Sequence, residues 1–135
     1  IHSAKVAFIG DAVLVNQPPF LEDADIPAWL QGLELLASQY RDYTLISGRG
    51  GPITRKDVLA QQKVLRHIDQ KLKEIHQDNA PSEKTHLLVS DLLGKFSFPA
   101  GRKALYAQRL RNGLQNYYER CYGRKKSFYR DMIDH

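Results

Sequence analysis

Two short apolar runs decide most about what this chain can build. KVAFIG at 5–10 and YTLISG at 43–48 are rich in β-branched and aromatic residues, and each halts at a glycine. Both read as buried strands. The first continues as DAVLV to Val15, so it predicts either two short strands or one strand bent sharply at Gly10. Nothing else in the chain reads so clearly as strand. A sheet this small leaves a face or an edge open, and a further layer must cover it.

The remaining pattern is helical. NQPPFLED at 16–23 is a loop, because its prolines withhold backbone donors and restrict the residue before each. Asp25 then caps a helix with Pro27 in its first turn, and Ile26, Trp29, Leu30, Leu33, Leu36, Ala37 and Tyr40 form its apolar stripe. After the second run, Thr54 with Asp57 three residues on predicts the start of a long helix reaching Gln77, roughly 35 Å at about 1.5 Å per residue. Val58, Leu65 and Leu72 recur every seven residues there, with Gln61, Ile68 and Ile75 between them. Ser82 is the expected cap of another helix that Gly94 ends. A last helix, about 101–122, sets Leu110, Leu114, Tyr117 and Cys121 on one side. Gly113 lies inside it, at a cost of about 1 kcal/mol relative to Ala, and Cys121 is expected to pack as a small hydrophobe.

With 135 residues the chain is the size of one ordinary domain, in two predicted parts: 1–79 with the strands, and a helical extension at 80–135. Hydrophobic residues at 42% and charged residues at 26% fit a soluble globular protein. No apolar run approaches the roughly 20 residues that cross a bilayer, and no basic leader with a long apolar stretch is visible at the start. One cysteine cannot make an internal disulfide, which fits a cytoplasmic location. The only methionine is Met132, so a fragment of something larger is the expectation.

Charge is uneven. Residues 1–100 carry 11 Lys and Arg against 12 Asp and Glu, whereas 101–135 carry 9 against 3. Tyr106, Tyr117, Tyr118, Tyr122, Phe128 and Tyr129 interleave with Arg109, Arg111, Arg120, Arg124, Lys125 and Lys126. Such a mixture can stack bases and hold phosphates, although packing explains the tyrosines more simply. The five histidines show no HxH, HxxxH or HExxH spacing, so they predict no metal site.

Two residues stand where chemistry usually forms. Asp11 follows Gly10 at a strand end, aimed at the rim of the sheet; the plainer alternative is that it caps a turn. Arg49 lies in SGRGG, at the end of the second run, where it can hold an anion or pair with a nearby carboxylate. If the two strands are near neighbours, Asp11 and Arg49 project toward one place. The turn is a poor phosphate cradle, since it matches neither GxxxxGK[ST] nor GxGxxG and Pro52 removes an amide.

The stretch KVAFIGDAVLVNQPPFLEDADIPAWLQGLELLASQYRDYTLISGRGGPITRKDVLAQQKVLRHI resembles the second half of a metallo-β-lactamase-fold hydrolase over about residues 4–76. The shared pattern is strand-Gly-Asp, a loop, a helix with D…W…L..L, a strand, a glycine turn and a long helix. The fold this implies is α/β, the C-terminal half of an αββα sandwich, with few short strands plus four helices. By resemblance Asp11 is a metal ligand, and Arg49, Gly50 and Gly51 contact substrate or an anion. Arg49 stands where the family has the histidine of GHG. A guanidinium has no lone pair for a metal, so Arg49 cannot replace that ligand. The first-half motif HxHxDH would lie before Ile1. The resemblance implies one or two zinc ions (Zn) in a complete protein, and a small-molecule substrate whose ester, thioester, lactam or similar bond is attacked by water. This chain alone is expected to be inactive and to bury its open surface as a homodimer. The alternative is a non-enzymatic module with a degenerate metal site, binding nucleic acid or a protein partner through the basic helical tail.

Overall fold

The structure is a computed structural model and describes residues 5–48 and 51–123. It is an α/β fold with a three-stranded mixed sheet and four α-helices. Strand β1 is Val6–Gly10, followed by α1 (Ile26–Ser38), β2 (Thr44–Ser47), β3 (Gly51–Ile53) and α2 (Arg55–Gln77). A 3-10 helix at Ser82–Leu87 leads into the short α3 (Leu88–Leu93), and α4 is Lys103–Tyr118.

In the sheet, β2 lies between β1 and β3, parallel to the first and antiparallel to the second. Val6 pairs with Thr44 and Phe8 with Ile46, and the register then slips so that Gly10 meets Ser47. The slip leaves Ile9 as an extra residue in β1, and the strand bends there. One face of the sheet turns Leu45, Ser47 and Ile53 into the helices. The opposite face shows Phe8, 82% exposed, and Val6, 44% exposed. A chain with so little strand covers one side of its sheet and leaves the other bare among the described residues.

The helices begin and end for local reasons. Asp25 accepts the Ala28 amide at 3.1 Å and so caps α1, with Pro27 in the first turn. Thr54 and Asp57 close a full capping box on α2: the Thr54 amide donates to Asp57 Oδ2 at 2.9 Å, and the Asp57 amide to Thr54 Oγ1 at 3.4 Å. Val58, Leu65, Ile68 and Leu72 of α2 are wholly buried, as the seven-residue repeat requires. Leu110, Leu114 and Tyr117 of α4 join the same core as Ile26 and Leu33 of α1. The 80–123 segment and the segment before it therefore share one hydrophobic interior.

Four expectations need correction. DAVLV forms no second strand. After β1 the chain turns, and Val13 and Leu14 bury among the helices instead, because no neighbouring strand offers them a ladder. Ser82 does not cap a helix; its hydroxyl donates to Glu119 Oε1 at 2.7 Å, and Pro81 stands at the cap position without a side-chain bond. GPI at Gly51–Ile53 is a strand, which the glycine and proline disguised. Finally, α4 stops at Tyr118 and passes into a π-helical turn at Glu119–Gly123. That wider turn carries Cys121 off the apolar stripe, and the thiol is exposed.

Gly113, costly by propensity alone, has a packing reason. A Cβ built there would lie 3.2 Å from the Cβ of Leu21, so the missing side chain lets the 16–25 loop sit directly on α4. Arg109 Nη1 donates to Gln17 Oε1 at 3.0 Å and to the Pro18 carbonyl at 2.9 Å. Arg120 Nη2 donates to the carbonyls of Leu21 and Ala24. Arg109 on α4 and Arg120 in the π-helical turn after it thus hold the loop that joins β1 to α1.

Candidate functional site

The candidate residues stand at the C-terminal ends of β1 and β2. Gly10 adopts φ 56°, a left-handed conformation that glycine alone takes without strain. The Ala12 amide donates to the Ile9 carbonyl at 3.1 Å, closing a tight turn with Gly10 and Asp11 at its centre. Across from it, the Gly48 amide donates to the Gly10 carbonyl at 2.8 Å. The parallel pairing therefore brings the Gly10-Asp11 tip against the start of the glycine turn. This is the rim where open α/β sheets place their sites. Gly51, with φ 73°, starts β3 opposite Ser47 on the return of that turn. Arg49 and Gly50 lie outside the described residues.

Two hydrogen bonds, one buried and one partly buried, fix the chain that follows Asp11. Trp29 Nε1 donates to the Ala12 carbonyl at 2.8 Å, and the Leu14 amide donates to Gln61 Oε1 at 3.0 Å. Gln61 is 4% exposed. Its amide group satisfies a backbone donor that has no strand to pair with, and that accounts for a polar residue on the inner face of α2. The sequence carried both signals. An indole N–H on an apolar stripe needs an acceptor, and a glutamine in a heptad of aliphatic residues needs a partner. Neither named that partner.

Local bonding occupies the start of α2. That helix N-terminus already holds a carboxylate of its own, Asp57, on the Thr54 amide. Asp11 is exposed at the tip. Among the described residues no three His, Cys, Asp or Glu side chains come together in a way that could hold a metal ion. Zinc held by protein needs three or four ligands. The described residues do not by themselves fit a zinc site.

The other singled-out side chains have structural partners. His67 Nε2 meets Asp91 Oδ2 at 3.1 Å, bridging α2 to α3, and His86 Nε2 meets Gln115 Oε1 at 2.7 Å. The His76 ring lies on Tyr122, with centroids 4.7 Å apart. On α4, Tyr106, Tyr117 and Tyr118 are buried, while Arg109, and Arg120 in the turn after it, donate to the 16–25 loop. Their interleaving has an internal explanation. The basic tail beyond Gly123 lies outside the described residues. No described helix is long and apolar enough to cross a membrane.

Comparison with protein-family models, with curated proteins and with solved structures found no match.

Proposed function

We propose that these residues are the C-terminal half of a metallo-β-lactamase-fold hydrolase and that Asp11 supplies one ligand of its metal site. The observation that carries the reading is the bond from the Gly48 amide to the Gly10 carbonyl, which sets the two candidate loops side by side at the strand ends. The order of elements supports it as well. A strand ending in Gly-Asp, a loop, a tryptophan-bearing helix, a strand, a glycine turn, the short β3 and a long helix follow one another, which is the resembled order with one strand added. The bare sheet face with Phe8 supports a second layer, supplied by further sequence or by a second copy of this chain.

In this reading Asp11 and the glycine turn form one wall of the site, Arg49 contacts the substrate or Asp11, and the other ligands come from residues beyond these 135. Zinc, when bound, would supply the activation of water that such hydrolysis needs. The chain's own contribution is to hold Asp11 in place through Gly10, Trp29 and Gln61. The reaction class is attack of water on an ester, thioester, lactam or related bond of a small molecule.

The test is the coding sequence upstream of Ile1 together with a hydrolysis assay of its full product. The reading expects an HxHxDH segment and chelator-sensitive turnover of a chromogenic ester, thioester or lactam. A frame without such a segment, or turnover indifferent to chelation, would count against it.

A further inference from the structure

A recess of about 790 Å³ opens between the 20–25 loop, the first turns of α1 and the side of α4. Its size suits a small organic molecule. Phe20, Trp29 and Leu105 give it apolar walls, and Phe20 and Leu105 are 38% and 48% exposed. Glu22, Asp23 and Asp25 stand around it, against Arg109, the single cation among its described lining residues.

Each charge has a different commitment. Arg109 stacks its guanidinium 4.0 Å from the centre of the Phe20 ring and donates to Gln17 and Pro18 of the loop. Asp25 caps α1. Glu22 and Asp23 enter no hydrogen bond or ion pair among the described residues. An anion placed here would face three carboxylates, and Arg120, which borders Glu22 and Asp23 in the adjoining recess, donates to the carbonyls of Leu21 and Ala24. A cation with an apolar body satisfies both halves of the lining, its charge near the acids and its body on the rings.

We propose that this recess binds a small organic ammonium ion carrying an aromatic body. The ring lies among Phe20, Trp29 and Leu105, and the ammonium group sits between Glu22 and Asp23. The site stands apart from the hydrolase reading, because it predicts binding and not turnover. The two are adjacent all the same, since Trp29 also holds the carbonyl of Ala12, the residue after Asp11.

Trp29 is the only tryptophan in the chain, so its emission reports on this recess directly. The experiment titrates the protein with phenethylammonium, with 2-phenylethanol and with 3-phenylpropionate. The expected result is a saturable change in emission with the ammonium ion, affinity about fivefold weaker for the alcohol, and no saturation with the carboxylate. A Glu22→Gln, Asp23→Asn double variant, at exposed positions and with an unchanged circular dichroism spectrum, should lose about fivefold for the ammonium ion, the scale of two exposed ion pairs, and nothing for the alcohol. Absence of saturation with the ammonium ion would overturn the proposal. So would equal affinity for amine and alcohol, an unaltered double variant, or an emission that shifts with protein concentration alone, which would mark the recess as a contact between copies.

Discussion

The amide of Gly48 and the carbonyl of Gly10 meet at 2.8 Å across the ends of two parallel strands. A Cβ added at Gly48 would lie 3.3 Å from the Gly10 carbonyl carbon, so the two glycines pack backbone to backbone. That contact makes neighbours of two loops nearly forty residues apart in sequence.

The first prediction concerns this contact. Gly10→Ala must hold a side chain at φ 56°, and a left-handed residue with a Cβ costs about 1–2 kcal/mol. Urea unfolding should show a lower midpoint with an unchanged slope. An unaltered midpoint would mean that the turn relaxes at no cost.

Gln61→Leu removes the acceptor of the Leu14 amide while keeping most of the side-chain volume. A buried amide left without a partner costs about 1–3 kcal/mol. The loss should appear in unfolding, and hydrogen exchange at the Leu14 amide should speed up more than exchange in the middle of α4.

Alkaline pH gives a third test. The Tyr117 hydroxyl accepts the Ile26 amide at 3.3 Å, and burial pushes its pKa well above the ordinary tyrosine range, the Ile26 bond offsetting only part of that. Tyr118 and Tyr122 are raised as well, also chiefly by burial. Above the unfolded value of about 10 the unfolded chain gives up protons that the folded chain keeps, so stability is complete below that pH and falls as pH rises beyond it. Tyr117→Phe should start about 1 kcal/mol less stable at neutral pH, because the Ile26 amide loses its acceptor. It should then fall less steeply above pH 10. A slope identical to that of the parent would remove Tyr117 from the account.

Phe8 is the fourth site. An aromatic ring 82% exposed on a bare sheet face supports self-association of this chain. Sedimentation at several concentrations should show association, and Phe8→Lys should abolish it with little effect on unfolding, as exposed positions tolerate substitution. A parent chain that stays monomeric at every concentration would contradict the homodimer.

The parts of the fold that are legible in sequence are those governed by local chemistry. Asp25 and Thr54 named the starts of α1 and α2 because caps act within three residues, and the heptad of Val58, Leu65 and Leu72 named the buried side of α2. The parts that are illegible depend on partners distant in sequence. DAVLV has the composition of a strand and lacks a neighbour to pair with, so its amide at Leu14 goes to Gln61 instead. GPI becomes a strand only because β2 lies beside it. Cys121 follows the apolar stripe in sequence and leaves it in space, since a π-helical turn changes the angular step. At the rim, Gly10-Asp11 and the glycine turn were readable as punctuation. The Trp29 and Gln61 bonds that hold the tip required the fold.

The central claim is that Asp11 is one ligand of a hydrolytic metal site at the rim of the sheet. The most direct measurement is the zinc content of the protein purified from its complete reading frame, with Asp11 and with Asp11→Asn. The account predicts stoichiometric zinc in the parent and a clear loss in the variant, with both chains folded. Zinc absent from the parent, or equal in the two proteins, would contradict it.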